Sequence, residues 1–583
     1  MDYSLVEPLH LPVPPRRQGA KRHYGVHPYF TRRSWSVVQA YVERFSRPGD
    51  LVLDPFGGSG VTAVEALVLG RRGWQVDLNP LANFIARQLA VSPVSLERLT
   101  EAFYDLKARC EPRIRRWRRA GEAELAEALA AYDYPRDVPL PRNADVRYVH
   151  ELFTPHQLVS LACLRHEIRQ TEDPTVRDLL LLAFSGTLAK TNRTFISATG
   201  RKPSRGGASI FSLYRYNVPK SPVELDVWEQ FESRFGSLWA AKRETNELID
   251  GRYSGETFRV ITGSATRLTG LVEPGTVDYI YTDPPYGGHI AYLDLSTMWN
   301  AWLGFAVPDA SRGDEVIEGG DVGHSGQDYT QLLDQSIRGM FDVLKPGRWL
   351  SLVFCHRDLG YWYTIRESAE RAGFHLVNTV VQPVDVVWSV HRKKNPLKVL
   401  AGEMVINFLK PGVSARRRRK RPTSKGDLLR TIKLSAESAI CEKGGATTEE
   451  ILYVLIPKLL ESRLATQETT EALDLVAGLQ RLGFVFSTMA GRWQLPAGHE
   501  FDPQVPLQAR ARAYIRQCLE EARAEGRPAD APSVLAYVQH HLGSSDHLSQ
   551  NDLLRELKQV GRSVQEDFWA LPEASEQLAL FWG

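Results

Sequence analysis

The sequence predicts an α/β protein built on a doubly wound sheet, with a large helical insertion and a mainly helical C-terminal region. Three observations carry this prediction. An apolar strand, a glycine-rich turn, a helix and a second strand follow one another over residues 51–78. The same alternation resumes over 259–411, and the block between them, 91–250, has mostly helical spacing. We therefore expect two separated segments of the chain to form one sheet.

Composition excludes several classes of protein. Of the 583 residues, 43% are hydrophobic and 24% are charged, which is typical of a folded protein and excludes wholesale disorder. No window approaches the roughly 18 apolar residues of a membrane span, and prolines interrupt the N-terminus where a signal peptide needs an apolar core. The five cysteines form no C-x₂-C pair, so neither a disulfide framework nor a thiolate metal site is expected. The sequence thus predicts a cytoplasmic protein without a metal.

The N-terminal half of the sheet is predicted within residues 1–90. Val37, Val38, Tyr41, Val42 and Phe45 have helical spacing, and Pro48-Gly49 ends that helix. The strand LVLD, the turn PFGGSG, the helix VTAVEALVLG and the strand GWQVDL follow. This order is typical of the opening of a doubly wound sheet.

The remaining chain divides by composition and pattern. A Gly/Ser/basic loop at 198–209 lies inside the helical block, and the run VSARRRRKRPTSKG has the composition of a linker. Two amphipathic helices and a short hairpin then predict a winged helix. The predicted order is the N-terminal half of the sheet (1–90), the helical insertion (91–258), the C-terminal half of the sheet (259–412), the basic linker (413–426), the winged helix (427–498) and the helical tail (499–583).

The glycine-rich turn DPFGGSG is the first candidate binding element. Gly57, Gly58 and Gly60 allow positive φ and let a ligand approach the backbone without a Cβ clash. The helix that follows offers free N–H groups, although the spacing is neither G-x-G-x-x-G nor a phosphate loop. Asp77 ends the next strand, where a carboxylate can accept both hydroxyls of a ribose. A tight turn without a ligand is the alternative interpretation.

The second candidate element is TDPPYG, directly after the apolar strand VDYIY. Pro284 and Pro285 hold a stiff turn and leave carbonyl oxygens free to accept. Asp283 adds a carboxylate acceptor and Tyr286 adds an aromatic face. Together they suit a planar group that carries an NH₂. Alone, each element could be a plain turn, but their agreement on one α/β pattern favours a site.

The two motifs together resemble those of the S-adenosylmethionine-dependent DNA amino-methyltransferases, which share a Rossmann-like methyltransferase sheet. The resemblance implies catalytic roles for the DPPY residues and a cofactor-closing role for the region 27–45. Ser264 stands where the family often has an Asp that contacts the adenine of the cofactor. The residues that the resemblance implies for binding S-adenosylmethionine are Asp54, Phe56, Gly57, Gly58, Ser59, Gly60, Asp77 and Ser264.

The resemblance implies methyl transfer to the exocyclic amine of a base that has flipped out of double-stranded DNA. Adenine N6 is favoured over cytosine N4, because DPPY occurs with both bases whereas serine in place of Asp283 would lean toward cytosine. An RNA guanine-N2 methyltransferase is a second alternative, although only 50 residues precede Leu51, where those enzymes usually carry an RNA-binding domain. A DNA-binding subunit with a retired methylase domain is the non-enzymatic alternative.

The long interval between the two motifs makes the helical insertion the candidate target-recognition element. Within it, Arg201, Lys202 and Arg205 lie on the Gly-rich loop and are predicted to contact DNA phosphates. The basic runs 113–119 and 415–421 are weaker candidates, since such runs are more often solvated surfaces. Other subunits of a restriction or phage-defence system are candidate partners.

Overall fold

The computed structural model describes the chain apart from residues 1, 91–92, 198–205, 250, 289, 384–401, 413–424, 463, 465–473, 489, 497–498, 543–546, 566 and 573–583. The chain forms two compact units, residues 1–417 and 418–583. Among the described residues, no helix is long and apolar enough to cross a membrane.

Unit 1 contains a seven-stranded sheet. The strands of this sheet are β1 (Leu51–Asp54), β2 (Arg72–Asp77), β5 (Phe258–Thr262), β6 (Val277–Thr282), β7 (Leu344–Phe354), β8 (His375–Gln382) and β9 (Glu403–Leu409). Two further strands, β3 (Phe195–Ile196) and β4 (Gly207–Ala208), belong to the insertion and pair with each other. The sheet order is β5-β2-β1-β6-β7-β9-β8. The first five strands are parallel, and β9 runs antiparallel to both of its neighbours. The predicted Rossmann-like methyltransferase sheet is confirmed.

Helices cover both faces of this sheet, which explains the apolar sequences of its central strands. Every residue of β1 and of β6 is buried, as expected for parallel strands packed on two sides. The helices of unit 1 are α1 (Trp35–Phe45), α2 (Val61–Val68), α3 (Pro80–Ala90), α4 (Leu96–Trp117), α5 (Glu122–Ala130), α6 (Pro155–Arg169), α7 (Pro174–Leu188), α8 (Ile210–Leu213), α9 (Val227–Ile249), α10 (Tyr292–Leu295), α11 (Thr297–Leu303), α12 (Asp309–Arg312), α13 (Gly326–Val343) and α14 (Leu359–Ala372).

The helical insertion shares its hydrophobic core with the sheet. Buried residues of α4, α6, α7 and α9 belong to the same apolar cluster as those of α1 and α2. Within it, the rings of Phe103 and Phe235 stack with their centroids 3.8 Å apart. The insertion is therefore anchored to the sheet and its helices by continuous packing.

The N-terminal arm, residues 2–34, is fastened to the far edge of the sheet. The carbonyl of Tyr3 accepts a hydrogen bond from the Trp349 indole at 2.7 Å. The Gln382 side chain exchanges two hydrogen bonds with the backbone of Val13, at 3.0 and 2.6 Å. The arm then continues toward the carboxyl ends of β1 and β2.

In unit 2, helices and strands follow one another twice in the order typical of a winged helix. The first series has helices α15 (Lys425–Lys443), α16 (Thr448–Glu461) and α17 (Leu475–Arg481) and a hairpin of β10 (Val485–Ser487) and β11 (Arg492–Gln494), which Ala446 extends by a bridge to Trp493. The second comprises α18 (Leu507–Ala524), β12 (Ala529–Asp530), α19 (Ala531–Leu542), α20 (Gln550–Val560), β13 (Arg562–Gln565) and β14 (Phe568–Ala570). Its strands form a sheet of order β12-β14-β13.

This second sheet corrects one expectation, since residues 499–583 were predicted as a helical tail. The strands β12, β13 and β14 are only two to four residues long. An alternation of period two cannot be recognised over so few residues. The winged helix predicted over 427–498 is consistent with the first series.

Candidate active site

A cleft lies at the carboxyl ends of β1, β2 and β6. This is the edge at which parallel α/β sheets bind their ligands. The arm, the glycine loop, the end of β2 and the DPPY loop contribute to its wall, together with the segments that contain Ser264, Tyr292 and Glu315. One cleft thus brings both sequence motifs together.

The glycine loop is shaped by two glycines with positive φ. Gly60 has φ +91°, and a Cβ there would lie 2.7 Å from the Cβ of Ala86. Gly58 has φ +50°, and a Cβ there would meet the ring of Tyr29 at 3.4 Å. Gly60 therefore allows the loop to pack on α3, whereas Gly58 faces the arm across the cleft.

Asp54 connects the two motif loops. Its carboxylate accepts hydrogen bonds from the Thr282 hydroxyl at 2.7 Å, the Thr62 hydroxyl at 2.8 Å and the Phe56 backbone N–H at 3.1 Å. Burial raises the pKa of Asp54 to about 6. All these donors belong to the protein, so the geometry supports a positioning role in which Asp54 holds β1 against β6.

Asp77 holds the glycine loop from the neighbouring strand. One carboxylate oxygen accepts the Gly58 N–H at 2.7 Å and the other accepts the Asn79 N–H at 2.8 Å. Burial raises the pKa of Asp77 to about 6. Its position beside Gly58 in the cleft wall suits the expected contact with the hydroxyls of a ribose.

Ser264 lies in the cleft wall, but its hydroxyl already has protein partners. It donates to the carbonyl of Asp314 at 3.1 Å and accepts the Thr266 N–H at 3.2 Å. Glu315 lies in the same wall and accepts the Leu293 N–H at 3.1 Å. Burial raises the pKa of Glu315 to about 8. Glu315 is thus a polar residue facing the cleft that the sequence analysis did not identify.

The DPPY loop places Asp283 between an arginine and a tyrosine. The Asp283 carboxylate accepts a hydrogen bond from the Tyr286 hydroxyl at 2.5 Å and forms an ion pair with Arg33. The Arg33 guanidinium lies 5.7 Å from the centre of the Tyr286 ring and also pairs with Glu403. Burial raises the pKa of Asp283 to about 6.

The two prolines of this loop differ in their surroundings. Pro284 is buried. The carbonyl of Pro285 accepts a hydrogen bond from the Tyr329 hydroxyl at 2.6 Å. This bond fixes the turn and makes the Pro285 carbonyl the less suitable acceptor for an incoming amine.

Sequence reasoning missed Arg33 and Glu403, which lie 250 and 120 positions from Asp283. Neither belongs to a recognisable motif. Arg33 does lie in the region 27–45, to which the resemblance gave a cofactor-closing role, but nothing in the sequence connected it with Asp283. Arg32 instead donates to the Ser59 hydroxyl at 2.9 Å and so supports the glycine loop.

The predicted DNA contacts Arg201, Lys202 and Arg205 lie outside the described residues, as does the run 415–421. The basic run 113–119 is described, and its arginines pair with carboxylates of the insertion, as in Arg113–Glu167 and Arg115–Glu111. This run therefore matches the alternative of a solvated, ion-paired helix face. Among the described residues there is no group of three or more His, Cys, Asp or Glu that could hold a metal ion.

Comparison with known proteins agrees with this geometry. Residues 12–87 match the family model of the N6/N4 DNA methylases. Over this segment the chain is similar to the N6/N4 DNA methylases. The matched segment begins in the arm and runs through the glycine loop and Asp77 into α3.

Two curated proteins are similar to this chain over limited segments. Type II methyltransferase M.MvaI of Kocuria varians is 23% identical over 269 residues, which are 44% of this chain and 52% of the relative. Type II methyltransferase M.MjaII of Methanocaldococcus jannaschii is 26% identical over 90 residues, 15% of this chain and 17% of the relative. The chain spans about half the length of the first relative and less of the second.

Proposed function

We propose that the chain methylates the exocyclic amine of a base flipped out of double-stranded DNA, with S-adenosylmethionine as methyl donor. The link between Asp54 and Thr282 carries this proposal, because it fixes a cofactor-type loop and an amine-accepting loop at one cleft. Adenine N6 is the first expectation and cytosine N4 the second.

The residues of the cleft fit the proposed cofactor. Gly58 lets a ligand approach the backbone, the Asp77 carboxylate suits the ribose, and Ser264 and Glu315, from two separate segments, provide polar groups for the adenine. When bound, the cofactor supplies an electrophilic methyl group on a sulfonium. Tyr29 and Thr31 of the arm would cover it from the opposite wall.

The residues of the DPPY loop orient the amine. Asp283 and the Pro284 carbonyl accept its two N–H bonds, which directs the nitrogen lone pair away from them and favours sp³ character. The reaction requires neither a metal nor a covalent nucleophile, since the amine nitrogen itself is the nucleophile. The base must leave the duplex, because Asp283 lies in the wall of the cleft and a stacked base cannot reach it.

Unit 2 supports DNA as the source of the base. A groove in this unit is lined by two carboxylates, Glu442 and Glu520, and by six basic side chains: Lys443, Arg492, Arg512, Arg516, Lys558 and Arg562. Lys443, Arg492 and Arg512 pair with Glu450 or Glu556. The groove still has more cations than carboxylates, which suits a phosphate backbone. We propose that this groove contacts the duplex and, separately, that the loop of Arg201, Lys202 and Arg205 does so.

The printed names of both relatives suggest the biological setting. Both are Type II methyltransferases. We propose that this chain likewise acts in the cytoplasm as the modification partner of a restriction or phage-defence system, alone or with other subunits.

Incubation with methyl-labelled cofactor and duplex DNA tests the proposal. The DNA is digested to nucleosides and analysed by mass spectrometry for N6-methyladenine and N4-methylcytosine. Asp283→Asn is the inactive control, and structured RNA is the competing substrate. Labelled N2-methylguanosine in RNA would establish the RNA alternative, whereas failure to bind the cofactor would establish a retired domain.

A further inference from the structure

Arg33 lies between two carboxylates at the base-binding side of the cleft. Its Nε contacts Asp283, and its Nη1 contacts Glu403 at the start of β9. The three side chains are only 14%, 18% and 20% exposed. One positive and two negative charges therefore share a largely dry space.

We propose that Arg33, anchored by Glu403, is a positioning residue that keeps Asp283 ionised and aimed at the incoming amine. This inference rests on the proposed function, because it concerns the acceptor of the target amine. Arg33 belongs to the arm, outside both sequence motifs, and no role in amine binding follows from its position in the sequence.

The ionisation state of Asp283 decides what it can accept. An ionised carboxylate accepts hydrogen bonds at both oxygens, whereas a protonated one presents an O–H that competes with the amine. Burial has the largest influence on the pKa of Asp283 and raises this pKa. The positive charge of Arg33 lowers the pKa, and the negative charge of Glu403 raises it further. Without Arg33, burial and the negative charge of Glu403 would both raise the pKa of Asp283 and so favour its protonated form.

The other polar groups around Asp283 do not replace Arg33. The Tyr286 hydroxyl donates a hydrogen bond that favours the ionised form, while the negative charge of Asp54 disfavours it. Tyr281 and Tyr292 also face this region, and burial raises the pKa of both, so they stay neutral. Among the described groups that influence Asp283, Arg33 is the cation.

The geometry also explains why an arginine occupies this position. Its planar guanidinium presents separate N–H donors, so it can engage Asp283 with one nitrogen and Glu403 with another. A lysine would keep the charge but offers a single nitrogen. We therefore expect a lysine to restore the ionisation of Asp283 better than its orientation.

The test measures kcat/KM for methyl transfer to duplex DNA between pH 5 and 9. The fall of kcat/KM at low pH, here called the acid limb, reports the pKa of the group that must be ionised in the free enzyme. Arg33→Gln should move the acid limb to higher pH by about one to three units, the range for an opposite charge at this distance. Glu403→Gln should move it to lower pH. Arg33→Lys should return the limb toward that of the wild type while kcat stays reduced.

The matched control is Arg71→Gln. Arg71 is also a buried arginine of unit 1, but it donates to the carbonyls of Leu69 and Ser46 rather than to a carboxylate of the cleft. Its replacement should lower thermal stability without moving the acid limb. If Arg33→Gln does not fold, two other variants carry the test: Glu403→Gln should lower the acid limb, and Arg33→Lys should keep a limb close to that of the wild type with a reduced kcat.

The outcomes separate this inference from the proposed function. A wild-type protein that methylates no base refutes the proposed function, and this inference with it. An active wild type whose acid limb is unchanged in Arg33→Gln, or is raised in Glu403→Gln, overturns the inference alone. A limb that moves equally in Arg71→Gln overturns it as well, since the shift would then reflect stability.

Discussion

Replacement of Asp77 should weaken cofactor binding without unfolding the methylase unit. The Asp77 carboxylate lies in the cleft wall and accepts the backbone N–H groups of Gly58 and Asn79 at 2.7 and 2.8 Å. We expect it to accept the ribose hydroxyls with its remaining lone pairs. Asp77→Ala removes the ribose contact and also releases the glycine loop, whereas Asp77→Asn keeps one oxygen and the shape of the side chain.

The size of the effect follows from the charge of the acceptor. A hydrogen bond to a charged group contributes about 1.5–3 kcal/mol, which corresponds to about a 10- to 150-fold increase in Kd. Asp77→Ala should reach this range in calorimetric titrations with S-adenosylmethionine at pH 8. Asp77→Asn should lose less, because the loop keeps one of its two anchors.

The pH dependence of binding gives an independent check. Burial raises the pKa of Asp77 to about 6 in the free protein. Because the ribose hydroxyls favour the ionised carboxylate, wild-type affinity should decline as the pH falls through 6, and Asp77→Asn should lack this decline. Binding by Asp77→Ala as tight as that of the wild type at pH 8 would show that the ribose partner lies elsewhere.

Further predictions concern the base side, the loop and unit 2. Asp283→Ala should abolish methyl transfer while calorimetric cofactor binding is largely retained, and loss of that binding in a folded variant would contradict the assignment. Tyr286→Phe should keep the ring but remove the hydrogen bond to Asp283, so the acid limb of kcat/KM should rise; an unchanged limb would leave stacking as its role. Gly58→Val should block the cofactor, because φ is +50° and the Cβ faces Tyr29, without lowering the melting temperature by more than a few degrees. Joint replacement of Lys558 and Arg562 by Ala should flatten the salt dependence of DNA binding by about two units of slope, and an unchanged slope would exclude this groove from the DNA path.

The sheet and its two loops could be predicted from the sequence because their local chemistry is unusual. Strands buried on both faces are continuous apolar runs, and β1 and β6 have this pattern. Gly58 and Gly60 adopt the positive φ that the turn predicted, but Gly57 does not. Gly57 is needed for packing instead, because a Cβ there would lie 2.6 Å from the Cβ of Gln75. The close approach of the DPFGGSG and DPPY loops then follows from the parallel arrangement of β1 and β6.

The electrostatic partners in the cleft could not be predicted, for a different reason. Arg33, Glu403 and Glu315 come from the arm, the antiparallel strand β9 and a connecting segment, and each is an ordinary charged residue in sequence. Their significance arises only when folding places them in a dry space with Asp283 or the cofactor loop. The role of the Tyr286 hydroxyl could not be predicted either. The sequence suggested only an aromatic face for Tyr286, whereas in the structure its hydroxyl donates a hydrogen bond to Asp283.

The anchoring of the arm also fixes the order in which the protein can mature on the ribosome. Some contacts of the arm can form early, because Glu65 and Ser59 accept hydrogen bonds from Tyr24 and Arg32. Its contacts with Trp349, Gln382 and Glu403 must wait until most of unit 1 has emerged. At roughly 5–20 residues per second, synthesis from the arm to Glu403 takes on the order of 20–80 s. For much of that time β1 also lacks its neighbour β6. A nascent chain arrested before β9 therefore has the glycine loop but not a finished cleft, and methylation competence should arise late and abruptly during translation.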